Sequence, residues 1–297
     1  MKQFGRLLTA MVTPFDKEGN VDYEQAKKLA LALLASGSDG LVVTATTGES
    51  PTLFPEERVR LNAEIKAVVG DRAAVIANTS NNDTLDSIEL TREVEKTGVD
   101  GFLMVVPYYN KPPQEGLYQH FKAIAEATSL PCMLYNVPSR TVVNLSAETV
   151  IRLSKIDNIV AIKEASSNFG QIAKIIENAG DDFLVYSGND NDLFHIMALG
   201  GYGVVSVASH IIGLQLKQMI TDFIENRHEE AAGLHRKLLP LMDALFVTTN
   251  PIPVKYALNY LGFYVGVPRL PLIEADESTR KAVQEALRNC TIDLPVS

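Results

Sequence analysis

Short uninterrupted apolar runs alternate along this chain with longer stretches whose apolar residues recur at helical spacing. The runs read as parallel strands buried on both faces, and the stretches as helices that cover them. Leu7 to Val12 is the first strand, closed by Thr13-Pro14, and Tyr23 to Leu34 the first helix, ending before Gly37. Gly40 to Ala45 is the second strand. After Thr46-Thr47-Gly48-Glu49-Ser50 a helix starts near Pro55, because proline is tolerated in a first helical turn. Further strands are expected at Ala73 to Ala77, Gly101 to Val106, Cys132 to Tyr135, Ile159 to Lys163, Phe183 to Tyr186 and Gly203 to Val207. The helices that follow them are expected at Leu85 to Lys96, Glu115 to Ala127, Ala147 to Ser154, Phe169 to Asn178, Asp192 to Leu199 and Leu214 to Ile224.

About eight strand-then-helix units in 297 residues predict an α/β fold, a (β/α)8 TIM barrel. A doubly wound open sheet would usually show a composition break between its halves, and none is present. Past Asn226 only helical patterns remain, at His228 to Phe246, Val254 to Leu261 and Glu277 to Asn289. The expected organisation is a catalytic barrel over residues 1–226 and an all-helical C-terminal extension over 227–297.

Composition narrows the function classes. With 46% hydrophobic residues the chain can bury one large core, and disorder is excluded. The net charge of −9, without any block of consecutive Lys or Arg, argues against nucleic-acid or anionic-membrane partners. No apolar run approaches membrane-spanning length, and Met1 to Arg6 leads directly into a strand-like segment, so a cytoplasmic location is expected. Cys132 and Cys290 are too few for a disulfide framework, and Cys132 reads as a small core residue. Five scattered histidines give no metal site; His228-Glu229 is followed by Ala232 where a zincin helix needs its second histidine. Gly200-Gly201-Tyr202-Gly203 fits neither a dinucleotide fingerprint nor a P-loop and reads as a tight turn into the eighth strand.

In a (β/α)8 barrel the chemistry sits at the C-terminal ends of the strands, and the polar residues there form a coherent set. Strand six ends in Lys163-Glu164, strand five in Tyr135-Asn136-Val137-Pro138-Ser139-Arg140, and strand two in Thr46-Thr47-Gly48-Glu49. Strand four ends in Pro107-Tyr108-Tyr109-Asn110, strand seven in Ser187-Gly188-Asn189-Asp190, and strand eight in Val205-Ser206. Each has an ordinary structural explanation when taken alone. A strand-end lysine is usually a solvated charge, Thr46-Thr47-Gly48 a capped turn, Tyr135 core filler, Arg140 a surface charge, and Tyr108-Tyr109 an interface loop. Together they suit carbonyl chemistry on an anionic substrate. A desolvated Lys163 can act as an amine nucleophile and Tyr135 can move protons beside it, while the Thr46-Thr47 backbone and the Arg140 fork are placed to hold carboxylates.

The motifs Thr46-Thr47-Gly48-Glu49, Tyr108-Tyr109-Asn110-Lys111-Pro112, Tyr135 to Thr141, Ile162-Lys163-Glu164-Ala165 and Asn250-Pro251-Ile252-Pro253-Val254-Lys255 resemble those of the dihydrodipicolinate (4-hydroxy-tetrahydrodipicolinate) synthase family. The resemblance covers nearly the whole chain. Its first motif and its strand-six lysine are shared with the wider pyruvate-dependent aldolase superfamily, so Asn136-Val137-Pro138-Ser139-Arg140 is the discriminating stretch.

The resemblance implies a class I aldolase-type lyase of lysine and diaminopimelate biosynthesis. Lys163 would form a Schiff base with pyruvate, and the resulting enamine would attack L-aspartate 4-semialdehyde, without metal or organic cofactor. Tyr135 would relay protons through Thr46 to Tyr109, which reaches in from a neighbouring subunit of a homo-oligomer, expected as a tetramer built from two tight dimers. Thr46 and Thr47 amides would bind the pyruvate carboxylate, Gly188 and Val205 would line its pocket, and Arg140 would bind the semialdehyde carboxylate. A regulatory lysine site would match Ser50, Pro51, Pro55, Arg58, Asn82, Asp86 and Tyr108. Two positions depart from the family pattern: Ala45 stands where many members have glycine, and Pro55 where lysine-sensitive members commonly have histidine. Proline offers no side-chain hydrogen bond, so weak or absent inhibition by lysine is expected. Two other readings remain: a Schiff-base aldolase acting on a sugar-derived 2-keto acid, against which Arg140 argues, and a non-catalytic binding relative, against which the complete residue set argues.

Overall fold

The structure is a computed structural model that describes residues 4–295. The first three residues of the expected N-terminal segment and the last two of the expected C-terminal extension lie outside the described residues. Eight parallel strands close into a barrel in sequence order: β1 (Leu7–Ala10), β2 (Gly40–Val43), β3 (Ala74–Asn78), β4 (Gly101–Val105), β5 (Cys132–Asn136), β6 (Ile159–Glu164), β7 (Leu184–Ser187) and β8 (Gly203–Ser206), with β8 returning to pair with β1. Helices on the outside are α1 (Tyr23–Ala35), α2 (Pro55–Val69), α3 (Thr84–Glu95), α4 (Gln114–Ala125), α5 (Pro138–Thr141), α6 (Ala147–Leu153), α7 (Phe169–Asn178), α8 (Leu193–Ala198) and α9 (Ser209–Ile224). The (β/α)8 expectation is therefore met strand for strand.

Why the strands are apolar throughout is visible in the packing. Leu7, Leu41, Val75, Phe102, Leu134, Ile162 and Val185 belong to the layer between barrel and helices, while Leu8, Val42, Ile76, Leu103, Met133, Ala161 and Val205 fill the barrel interior. Side chains alternate between the two layers with the two-residue period of a strand. Barrel closure is tight: a Cβ at Gly203 would sit 2.1 Å from the Arg6 carbonyl oxygen, so only glycine lets β8 approach the chain entering β1.

Two local features differ from the sequence expectation. The ninth helix begins at Ser209 rather than Leu214, with a kink at Ile212 (φ −121, ψ 37). Ser209 to Gly213 are all buried, so this first turn has no polar face and no amphipathic period to read. The four-residue α5 follows β5 with proline in its first turn and is too short to show periodicity. Beyond the barrel, α10 (His228–Ala244), α11 (Ile252–Tyr260) and α12 (Glu277–Arg288) pack on α9 and on one another. No helix among the described residues is long and apolar enough to cross a membrane.

Candidate active site

Lys163 is the fifth residue of β6 and shares the inward parity of Ala161. Register places it beside Tyr135 of β5 and Tyr186 of β7. Its Nζ stands 4.2 Å from the centroid of the Tyr135 ring, and it is only 4% exposed. The exposed strand-end lysine is thereby excluded: this amine sits inside the barrel against an aromatic face. Tyr186, fully buried, donates its hydroxyl to the Gly5 carbonyl at 2.8 Å, at the opposite end of the barrel. At Gly188, just past β7, a Cβ would lie 3.2 Å from Lys163 Cε and 2.7 Å from Ala165 Cβ, so the missing side chain keeps space open at the lysine. Val205 of β8 is buried in the same interior cluster. Asp190 is buried next to this space and accepts hydrogen bonds from the Ser206 hydroxyl and from the Val207 and Ala208 amides at 3.0 and 2.9 Å. Burial pushes its carboxyl pKa upward, while these hydrogen bonds and the charge of Lys163 oppose the rise.

The Thr46-Thr47-Gly48-Glu49 turn follows β2 and is tucked against the end of β1. Thr13 donates to the Gly48 carbonyl at 2.7 Å, and a Cβ at Gly48 would lie 3.1 Å from the Met11 carbonyl oxygen. Within the turn, the Glu49 amide donates to Thr46 O at 3.1 Å and the Ser50 amide to Ala45 O at 3.2 Å. Thr47 is buried and Thr46 half-buried. No hydrogen bond joins Thr46 to the Tyr135 hydroxyl among the described residues, so the expected relay is not closed within one chain. Tyr109 is 90% exposed, at a φ of +73.

Arg140 lies on α5, exposed, with Nη2 donating to the Asn250 carbonyl at 3.1 Å. It and Thr46 line a cavity of about 390 Å³. The same cavity is walled by six residues of the expected regulatory set: Ser50, Pro51, Pro55, Arg58, Asp86 and Tyr108. Asn82 sits behind them, its side-chain amide donating to Tyr108 O at 3.1 Å. Lys163, Tyr135, Thr47, Gly188 and Val205 are not among its walls. Arg58 is buried; burial lowers its pKa to about 10, and its Nη2 donates to Asn78 O at 2.8 Å while Nε has no partner. Burial raises the Tyr108 pKa, with Arg58 opposing.

Three residues next to the site had no role assigned from the sequence. The Asn250 side-chain amide donates to Thr47 Oγ1 at 2.9 Å, and Lys255 forms an ion pair with Glu49 at 2.7 Å, each side chain 1% exposed. The available signal was a lysine inside the apolar helix sequence Ile-Pro-Val-Lys-Tyr-Ala-Leu. Its partner lies more than two hundred positions earlier in the chain, which no local pattern encodes. Among the described residues no cluster of His, Cys, Asp and Glu could hold a metal ion.

Comparison with known proteins agrees with this geometry. Residues 3–290 match the model of the dihydrodipicolinate synthetase family. A 4-hydroxy-tetrahydrodipicolinate synthase of Dehalococcoides mccartyi is 61% identical over 296 residues, covering 100% of both chains. The crystal structure of a Bacillus anthracis dihydrodipicolinate synthase superposes with a TM-score of 0.96 at 48% identity, covering 98% of this chain and 100% of that one. A lysine-bound enzyme from Cyanidioschyzon merolae gives a TM-score of 0.95 at 47% identity, with 96% and 98% coverage. On sequence and on fold alike, the chain belongs to the dihydrodipicolinate synthetase family.

Proposed function

We propose that this chain condenses pyruvate with L-aspartate 4-semialdehyde to 4-hydroxy-tetrahydrodipicolinate, through a Schiff base on Lys163. The observation that carries the reading is the buried Lys163 amine against the Tyr135 ring, beside the space left by Gly188. Lys163 Nζ adds to the pyruvate carbonyl, and loss of water gives an iminium that withdraws electrons from the adjacent methyl group. Removal of a methyl proton yields the enamine, whose carbon attacks the aldehyde carbon of the second substrate. The amino group of that substrate then attacks the imine carbon, closing the ring and releasing Lys163. Tyr135 moves protons at these steps, Thr46 and Thr47 amides hold the pyruvate carboxylate, Gly188 and Val205 line its pocket, and Arg140 grips the carboxylate of the semialdehyde.

A homo-oligomer, two tight dimers forming a tetramer, fits the surface. Four exposed apolar residues, Phe54, Leu85, Tyr109 and Val142, are each the chain neighbour of a residue walling the cavity. Exposed apolar side chains next to the cavity walls are suited to cover by a second copy, which would bring the partner's Tyr109 to complete the relay with Thr46 and Tyr135. The seven residues from Ser50 to Tyr108 named above match the family's lysine site, but with Pro55 in it this reading includes weak or absent inhibition by lysine; the cytoplasm is its location.

Incubation with pyruvate, borohydride reduction and peptide mass mapping tests the mechanism. The expected product is a single reduced pyruvyl adduct on Lys163, absent from Lys163→Ala. Active protein without that adduct overturns the proposal.

A further inference from the structure

We propose that the C-terminal helices position the carboxylate-binding turn for pyruvate, through the buried Glu49–Lys255 ion pair and the hydrogen bond from Asn250 to Thr47. The inference rests on the reading of Thr46-Thr47 as the pyruvate carboxylate subsite. Lys255, on α11, places Nζ 2.7 Å from Glu49 Oε1 and 3.2 Å from Val267 O, and 4.1 Å from the centroid of the Phe15 ring. The other carboxylate oxygen of Glu49 accepts the Arg269 amide at 2.9 Å. Both Glu49 oxygens are thus taken by the segment that follows the barrel.

An apolar pair of similar volume would hold two segments together as well as a buried ion pair does, because desolvating both charges offsets much of their attraction. What the ion pair adds is direction. Glu49 is held at a φ of +59, a left-handed conformation unfavourable for a residue with a Cβ, and its amide closes the turn onto Thr46 O. Fixing the Glu49 carboxylate therefore fixes the Thr46-Thr47 peptide. Asn250, 5% exposed, supplies the second tie to Thr47, and its backbone carbonyl also receives Arg140. The Arg269 side chain braces the outer edge, bonding Thr52 O at 2.7 Å and Glu57 at 2.6 and 2.7 Å. Burial lowers the Lys255 pKa to about 8, and the neighbouring Glu49 opposes the fall.

Two variants test the idea. Glu49→Gln/Lys255→Met removes both charges together, since deleting one alone strands its partner in the interior. Asn250→Ala removes only the tie to Thr47, along with a buried Oδ1 that has no partner, and keeps the backbone carbonyl that holds Arg140. Each is expected to raise the KM for pyruvate about 3- to 10-fold, the range of one neutral hydrogen bond, with kcat at saturating pyruvate within about twofold. In Asn250→Ala the KM for the semialdehyde stays unchanged. A pyruvate KM that does not move in Asn250→Ala overturns the proposal, and so does a kcat that falls while KM stays constant in either variant. Should the double variant fail to fold, Asn250→Ala decides alone. Absence of the borohydride adduct from the unsubstituted protein is a different failure: it removes the Schiff-base reading and this inference with it.

Discussion

At the scale of single residues, the site separates into buried groups and one exposed fork. Lys163 and Tyr135 are buried, Thr47 is buried and tied by the Asn250 side chain, and Arg140 is exposed, with its side chain bonded to the carbonyl of Asn250. In the proposed reading Thr47 belongs to the pyruvate carboxylate site and Arg140 to that of the semialdehyde, and Asn250 touches both, the first through its side chain and the second through its carbonyl. Arg140→Ala is accordingly expected to leave borohydride labelling by pyruvate nearly intact and to raise the semialdehyde KM about 10- to 100-fold, the loss expected of a charge-assisted hydrogen bond. Equal loss of labelling and condensation would assign Arg140 to scaffolding instead. In the cavity beside it, Pro55 provides no side-chain hydrogen bond to an incoming ligand. Sub-millimolar lysine is therefore expected to leave the steady-state rate unchanged. Half-maximal inhibition in that range would show that the cavity accepts lysine despite Pro55.

At the scale of elements, the strand ends place the chemistry and the glycines permit the approach. The two-residue period sends Lys163 inward and Glu164 outward, where Asn136 and Gln171 hold its carboxylate at 3.0–3.1 Å. A one-residue slip in β6 would exchange a nucleophile for an acid, which is why its register against β5 and β7 matters. Closure depends on β8 meeting the chain ahead of β1. Gly203→Ala sets a methyl group against the Arg6 carbonyl and is expected to destabilise the fold by about 1–3 kcal/mol through overpacking. The readout is a lower urea midpoint at constant m-value; an unchanged midpoint would mean that the β8–β1 seam relaxes freely.

At the scale of the whole molecule, buried histidines tie stability to pH. His210 is enclosed between the ends of β1 and β8, its Nε2 accepting the Val12 amide at 3.2 Å and its Nδ1 donating to Val207 O at 2.8 Å. Burial lowers its pKa and that of His120 to about 4, from an ordinary value of 6.5. Below pH 6.5 the unfolded chain takes up protons that the folded chain does not. This stability is therefore complete above 6.5 and is lost as pH falls toward 4. Urea denaturation at pH 7 and pH 4.5 should show the drop, and the His210 ring nitrogens should keep a neutral NMR signature at pH 5.5; a protonated ring there would refute the assignment. Assembly is the other property at this scale. Leu85→Asp, at an exposed apolar position beside the cavity-wall residue Asp86, is expected to dissociate the proposed oligomer in light scattering and to lower the condensation rate while the chain stays folded. A monomeric parent protein with full activity would remove the partner's Tyr109 from the mechanism.

Much of this architecture was legible along the chain, because each strand and helix is specified by its own periodicity and barrel strands pair with their neighbours in order. Lys163, Tyr135, Thr46, Thr47 and Arg140 could be singled out for the same reason: in this fold a residue at a strand end is a residue on the active rim. What only the tertiary structure decided is the environment of those residues and the links between distant segments. The surroundings of the Lys163 amine include the Tyr135 ring on one neighbouring strand and Gly188 just past the other, which no local pattern in the sequence encodes. The Lys255–Glu49 pair and the Asn250–Thr47 bond join positions over two hundred residues apart. Hydrophobic period is a local property and survives in the sequence, whereas a pairing of two charges leaves no trace until folding brings them together.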